Sequence, residues 1–429
     1  MTEIDNTWKE NLCINSHIHM IGIGGMGMAG LALLLKDHGM QITGCDEKFN
    51  DQVNTLKSKG IHIDIEHNIS HLDNCDLLIR STAVPYDNIE VKEAFRRDIP
   101  VIQRGYVLAE ILHNRTVIAV AGSHGKTSTA SILSQILESG YIIGGQIKSH
   151  DVLARDDTVI VAEVDESDGT IEQFKPDYTI ITNIDDDHLD YYRNSDALNK
   201  SFEKLIKQTK KNVFFNADDL RLHSICQNYD YCIPIKKDKD AALIPFKGDY
   251  NINNASYALM VADLFISRDL ARKRLKEIKA VSRRFEILYD KNNIKVILDY
   301  AHHPTEIRAL YQATNELNMN RILAIFQPHR YTRTYIFKED FADLLHKFDK
   351  SILLPVFEAS EKFHPEGNSQ SIMKIVNQKE YKNIDFFEDM KQAWCKMISE
   401  LTDGDVLLII GAGDIDQLRD MSSYIETQF

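Results

Sequence analysis

Val117-Ile118-Ala119-Val120-Ala121-Gly122-Ser123-His124-Gly125-Lys126-Thr127-Ser128-Thr129 is the stretch whose local structure constrains the rest of the chain. Its apolar, β-branched start reads as a buried strand. The run breaks into a Gly-rich turn, and a helical pattern begins at Ala130-Ser131-Ile132-Leu133. A strand, a glycine loop and a helix N-terminus in that order form a phosphate cradle, because backbone N–H groups and the helix dipole face the anion. Gly122, Ser123, His124, Gly125 and Ser128 would line it. Lys126 would reach the outer phosphates, and the Thr127 hydroxyl would sit on a magnesium ion. The spacing departs from the commonest phosphate loop, because Val120 stands where a glycine is usual. An ordinary strand–turn–helix with a basic start would have the same local pattern, so the flanking sequence has to decide.

Upstream, a strand read over 17–23 runs into Gly22-Ile23-Gly24-Gly25-Met26-Gly27 and then a leucine-rich helix. This is G-x-G-x-x-G between strand and helix, the dinucleotide-type fingerprint. A second strand, 41–46, ends in Asp46, placed to hold a ribose or base. The ligand is left open among NAD, FAD and a UDP-sugar, and tight strand–helix packing alone would also ask for these glycines. Strands near 76–80 and 100–102 and a helix at 106–112 extend the alternation, so a parallel α/β sheet is expected over the first 112 residues. His113-Asn114-Arg115 reads as a polar joint.

Downstream, the run 158–164 delivers Glu163, Asp165, Glu166 and Asp168 to a strand end, and 178–184 delivers Asp185-Asp186-Asp187-His188. Acids and an imidazole beside a phosphate loop suit metal ions that neutralise a nucleotide γ-phosphate. Taken singly, each would be a solvated loop or a helix N-terminal acid. The last third repeats the alternation. Asp299-Tyr300-Ala301-His302-His303-Pro304 forms a strand, elbow and helix start, with Pro304 suited to the first turn. Arg330 and Arg333 lie three apart on a strand-end loop, where two guanidinium groups can grip a small carboxylate.

Bulk properties narrow the class. The 429 residues are 43% hydrophobic and 27% charged, as in a folded multidomain protein. A net charge of −14 argues against general nucleic-acid binding. No apolar run is long enough to span a bilayer, the N-terminus lacks a signal-peptide pattern, and a cytoplasmic protein is expected. Cys13, Cys45, Cys75, Cys226, Cys232 and Cys395 show no CxxC pair and no His at metal spacing, so neither a zinc site nor a disulfide framework is expected.

Taken together, Gly-Ser-His-Gly-Lys-Thr (122–127), Glu-Val-Asp-Glu-Ser-Asp (163–168) and Thr-Asn-Ile-Asp-Asp-Asp-His (182–188) resemble the Mur ligase family of ATP-dependent amide-forming enzymes. The likeness continues at 248–255, where Tyr250 replaces a family histidine, and at Arg283-Arg284-Phe285-Glu286. It implies three α/β domains: a Rossmann-like UDP-binding domain (1–112), a central P-loop ATPase-type domain (113–286) and a Rossmann-like amino-acid domain (287–429). It further implies ATP and Mg2+ as cofactors, with Lys126, Glu163 and His188 catalytic and Thr127, Glu163 and His188 on magnesium. Asn251, Asn254, Arg284 and Asp299 would contact ATP besides the loop. Gly22, Gly24, Gly25, Met26, Gly27 and Asp46 would hold the UDP-sugar.

The implied partners are UDP-N-acetylmuramate and L-alanine, with Tyr300, His302, Arg330 and Arg333 around the amino acid. The implied chemistry is phosphorylation of the lactyl carboxylate, attack by the alanine amine, and collapse to an amide, in peptidoglycan precursor synthesis. The central region is shorter than the family's at 145–157 and 216–247, which bears on muramyl contacts near 144–155. Rival readings are a tripeptide-recycling ligase of the same family, a non-catalytic UDP-sugar-binding protein, and a nicotinamide-dependent oxidoreductase, which would leave the phosphate loop unexplained.

Overall fold

The computed structural model describes residues 6–147, 158–167, 169–186, 189–359 and 361–421. His188, Asp187, Asp168 and most of 144–155 therefore lie outside or at the edge of the described residues. The chain forms two compact units, one of residues 1–245 and 252–279, the other of 246–251 and 280–429.

The first unit contains two parallel sheets. Its first has strands β1 (His17–Ile21), β2 (Gln41–Asp46), β3 (His62–Ile65), β4 (Leu77–Arg80) and β5 (Val101–Gln103), ordered β3-β2-β1-β4-β5. β1 and β4 are buried almost throughout, as expected of parallel strands covered on both faces. The strand order reverses at β1, beyond whose carboxyl end such sheets bind ligands. The Gly-rich turn occupies that position, and the helix Met26–Asp37 starts from it with its leucines in the core.

The second sheet has β6 (Thr116–Ala121), β7 (Gly140–Ile142), β8 (Val159–Glu163), β9 (Tyr178–Ile181), β10 (Asn212–Asn216) and β11 (Cys232–Ile235), ordered β11-β10-β9-β6-β8-β7. Again the order turns at the strand that feeds a glycine loop, here β6. The helix after this loop, Lys126–Leu137, begins four residues earlier than its apolar pattern suggests. Gly125 at φ +80° turns the chain straight into the helix, and Thr127 and Thr129 are buried in its first turn. One apolar core runs from Trp8 to Cys226, so both sheets share it.

The second unit holds β12 (Glu286–Lys291), β13 (Ile294–Asp299), β14 (Arg321–Phe326), β15 (Lys350–Leu353), β16 (Ile384–Phe386) and β17 (Asp405–Ile410), ordered β12-β13-β17-β14-β15-β16. Among the described strands of this sheet, only the β12–β13 pair is antiparallel. Asn292 and Asn293, at φ +51° and +54°, make the tight hairpin between them. Every residue of the central β17 is buried. Among the described residues, no helix is long and apolar enough to cross a membrane.

Candidate functional site

The phosphate loop of the first unit is shaped from beneath by the end of β9. Thr182 Oγ1 and Asn183 Nδ2 donate to the His124 carbonyl at 2.6 and 2.9 Å, and Asn183 Oδ1 accepts from His124 N at 2.9 Å. Ser123 Oγ accepts from Asp185 N at 2.8 Å, and His124 Nε2 lies 3.0 Å from Asp185 Oδ2. Two positions admit only glycine. At Gly122 (φ +131°) a Cβ would stand 2.1 Å from Thr182 Oγ1, and at Gly125 it would stand 2.7 Å from Asn254 Oδ1. Asn254, expected near ATP, is thus packed directly against the loop.

The end of β8 supplies the acids. Thr127 Oγ1 lies 2.9 Å from both carboxylate oxygens of Glu163, and Gly144 N donates to Glu163 at 2.6 Å. A threonine hydroxyl and a carboxylate at this separation are hard oxygen donors of the kind magnesium takes. The pair therefore fits the expected ion. Lys126 Nζ donates to Glu166 at 2.8 and 3.1 Å, with Asp165 Oδ1 at 3.7 Å. Burial alone would lower the lysine pKa. The carboxylates of Glu166, Asp165 and Glu163 outweigh it, so the ammonium is held charged with its pKa above the usual value. Glu166, only 1% exposed, is the partner that sequence reading did not single out from its acidic run. Ser128 follows Thr127 on the first helical turn.

In the first sheet, Gly24 N donates to Asp46 Oδ2 at 2.8 Å, and Asn50 Nδ2 donates back to the Gly24 carbonyl at 3.1 Å. Asp46 thus braces the glycine turn, a role its sequence position does not reveal. Gly22 takes φ +73°, and Gly25 caps the helix that Met26 and Gly27 begin. A Cβ on Gly27 would lie 2.5 Å from Arg104 Nη1. Arg104, at the start of the helix Arg104–Ile111, therefore brings a guanidinium to the fingerprint from about 80 residues away in sequence, with no local motif to announce it.

The second unit gathers its own set. Asp299, at the end of β13, accepts from Phe285 N at 2.7 Å and from Ala301 N at 2.8 Å. Burial pushes its carboxyl pKa up, against the pull of Arg284 and these two N–H groups. Arg283 and Phe285, which flank Arg284, hold left-handed backbone at φ +61° and +45°. Such conformations persist only where the surroundings enforce them. The guanidinium carbons of Arg283 and Arg284 lie 4.8 and 5.0 Å from the Tyr300 ring centroid. Tyr250 shares this neighbourhood, with burial and then the Asp299 charge raising its phenol pKa. Asn251 Nδ2 donates to the Lys247 carbonyl at 2.6 Å.

A cationic cluster surrounds the elbow after β13 and the loop after β14. His302 Nδ1 lies 2.9 Å from the Tyr300 carbonyl and 3.4 Å from Glu306 Oε2. His303 and Glu306 form a capping box that fixes the helix Pro304–Asn315. The His302 and His329 rings are 5.7 Å apart, and His329 stacks on Phe357 at 5.5 Å. Arg333 Nη1 reaches His329 Nδ1 at 3.4 Å, and Arg333 is 6% exposed. Arg330, at φ +70°, starts the helix Tyr331–Leu345. Burial, then the charges of His302, Arg333, Arg330 and Arg283, drive the His329 pKa down to about 2. Guanidinium groups held this close to a neutral imidazole are donors of the kind that pair with small anions. His329 adjoins Arg330 in sequence but belongs to no motif that would single it out.

Three family profiles match in order: the Mur ligase family catalytic domain at 17–116, the Mur ligase middle domain at 120–241, and the Mur ligase glutamate ligase domain at 283–413. The UDP-N-acetylmuramate--L-alanine ligase of Persephonella marina is 34% identical, over 95% of this chain and 96% of that protein. The protein of the same name from Aquifex aeolicus is also 34% identical, over 93% and 95%. Among solved structures, the UDP-N-acetylmuramate-alanine ligase of Thermotoga maritima superposes with a TM-score of 0.80 at 26% identity, covering 96% of this chain and all of that one. A murein peptide ligase of Psychrobacter arcticus shares the fold, with a TM-score of 0.71 at 21% identity. With three consecutive domain profiles and relatives above 30% identity along nearly its whole length, the chain belongs to the Mur ligase family.

Proposed function

We propose that this protein joins L-alanine to the lactyl carboxylate of UDP-N-acetylmuramate at the expense of ATP, in peptidoglycan precursor synthesis in the cytoplasm. The observation that carries the reading is the pair of receptors on one chain. A glycine loop presents Lys126 beside the Thr127–Glu163 oxygen pair, and a cationic cluster presents Arg330, Arg333 and His302. The relatives named for this reaction span nearly the whole chain at 34% identity. The murein peptide ligase of Psychrobacter arcticus, at 21% identity, is a likeness of fold alone, so the tripeptide reading has less support.

In this reading residues 1–112 hold the UDP-sugar, 113–286 hold ATP and 287–429 hold the amino acid. Gly22, Gly24, Gly25, Met26 and Gly27 cradle the pyrophosphate, Asp46 braces that turn, and Arg104 adds a countercharge. Lys126 and the loop N–H groups bind and orient the β- and γ-phosphates, while Thr127, Glu163 and His188 hold magnesium. ATP and Mg2+ supply the activating phosphoryl group and its charge neutralisation, without which a carboxylate is a poor electrophile. Asn251, Asn254, Arg284 and Asp299 position the nucleoside. Arg330 and Arg333 grip the alanine carboxylate and leave its amine free to attack, with Tyr300 and His302 lining the pocket. The protein's share of the catalysis is positioning and electrostatic stabilisation.

The test is phosphate release from ATP by the purified protein with UDP-N-acetylmuramate plus L-alanine. Turnover must require both acceptors and disappear in Lys126→Ala. Release no greater than with either acceptor alone would refute the assignment, and preference for the tripeptide over alanine would select the recycling enzyme.

A further inference from the structure

Four side chains that the nucleotide reading leaves unused meet at one point of the first sheet. His19 lies on β1, Cys45 on β2, His71 in the short turn Ile69–Leu72, and Glu90 in the first turn of the helix Ile89–Arg96. One ligating atom from each lies within 4.8 Å of all the others. His19, Cys45 and Glu90 are at most 1% exposed, and the His71 side chain is 14% exposed. His19 Nε2 is 3.1 Å from Glu90 Oε2, His71 Nδ1 is 3.1 Å from Glu90 Oε1, and Cys45 Sγ is 3.4 and 3.6 Å from the two oxygens. A tetrahedral zinc ion with bonds of about 2.0–2.3 Å has ligand–ligand edges of about 3.3–3.8 Å.

Two further observations point to a cation. Each histidine turns one nitrogen inward and has the other engaged from behind: His19 Nδ1 lies 2.9 Å from Thr43 Oγ1, and His71 Nε2 lies 3.3 Å from Asp64 Oδ2. This is how outer-shell groups fix the tautomer and aim of a metal-binding imidazole. The buried His19 Nε2 also lies 3.1 Å from Glu90 Oε2 without the alignment of a well-formed hydrogen bond. A nitrogen and an oxygen that are close but not aligned with each other stand as two ligands do on neighbouring corners of a coordination shell. Charge agrees as well, since one thiolate and one carboxylate neutralise a dication between two neutral imidazoles. His67, partly exposed, stands beside the four with Nδ1 3.3 Å from Cys45 Sγ and 3.5 Å from Glu90 Oε1.

We propose that His19, Cys45, His71 and Glu90 bind one divalent cation of the zinc class in a closed, four-ligand site. Binding sends the Cys45 thiol proton to solvent and ties β1, β2 and the two following segments together. Cys45 immediately precedes Asp46, which braces the Gly24 turn, so the ion also stiffens the strand end that carries this contact. The site departs from the sequence expectation of no zinc because its four ligands come from four separate elements, and none lies at a motif spacing from another.

The experiment is a cobalt titration of the full-length, chelator-stripped protein. The expected result is a near-ultraviolet thiolate-to-cobalt band with tetrahedral visible bands, saturating at one equivalent and displaced by zinc. Cys45→Ser removes the charge-transfer band, His71→Ala weakens cobalt binding by at least about tenfold, and Cys226→Ser changes nothing. Should Cys45→Ser not fold, Asp64→Asn provides the decision, with a loss of roughly tenfold from its outer-shell position. The proposal is overturned if no charge-transfer band appears with excess cobalt, if the band survives in folded Cys45→Ser, or if Asp64→Asn binds cobalt as the parent does. The cluster would then be a hydrogen-bonded network only.

Discussion

Replacing Gly125 by alanine tests whether the phosphate loop is built as described. Gly125 has φ +80° and ψ −1°, where an L-residue with a Cβ is disfavoured by roughly 1–2 kcal/mol. The new methyl would also stand 2.7 Å from Asn254 Oδ1, against an ordinary contact of at least 3.4 Å, and Asn254 is itself buried. Either the loop or Asn254 has to move, and crowding of this kind costs about 1–3 kcal/mol more. The conformational part alone lowers Tm by about 2–8 °C for a unit of this size. Displacement of the loop N–H groups lowers kcat/KM for ATP by roughly 10- to 100-fold.

The two parts separate in a double-mutant cycle read by thermal unfolding. Asn254→Ala removes the crowded atom, so Gly125→Ala should cost only its conformational part in that background. The coupling between the two sites should be about 1 kcal/mol or more. Strictly additive effects, or a Gly125→Ala protein as stable as the parent, would show that the close approach does not constrain the loop.

Glu163→Ala should lower turnover by at least about 100-fold while leaving the Tm within a few degrees, because the magnesium ligand pair with Thr127 is lost; unchanged magnesium dependence would count against that pairing. Arg333→Lys should raise KM for L-alanine by roughly 10-fold or more with KM for ATP unchanged, since an ammonium cannot reproduce a bidentate guanidinium; equal changes in both would place Arg333 elsewhere. His329 has its pKa lowered from 6.5 to about 2, so below pH 6.5 the unfolded chain takes up a proton that the folded one refuses. Stability is then complete above about pH 6.5 and falls as the pH drops toward 2, by about 2 kcal/mol at pH 5. His329→Gln should flatten this slope in urea unfolding, and an unaltered slope would assign acid lability to other groups.

Local order carried much of the fold into the sequence. β6 and β17 are continuous apolar runs because strands buried on both faces have no polar side to show. The glycines at 122 and 125 are legible because only glycine accepts those dihedral angles and that closeness. Lys126, Thr127 and Glu163 could be paired from sequence because adjacent parallel strands deliver their carboxyl ends to the same edge. Less was visible wherever one side chain answers another from a distant element. In the sequence Glu166 is one acid among several, whereas in the fold its oxygens lie on the Lys126 ammonium.

Sequence alone determined the α/β class, the order of the two glycine loops, and the residue types beside each, because strand–turn–helix chemistry is written in contiguous residues. The tertiary structure decided the rest. It turned Asp46 into a brace for Gly24 and brought Arg104 to Gly27. It surrounded His329 with arginines. It also gathered His19, Cys45, His71 and Glu90 around one point. The physical reason is common to all four: sheet order and helix packing set these meetings, and neither leaves a periodic mark on the chain.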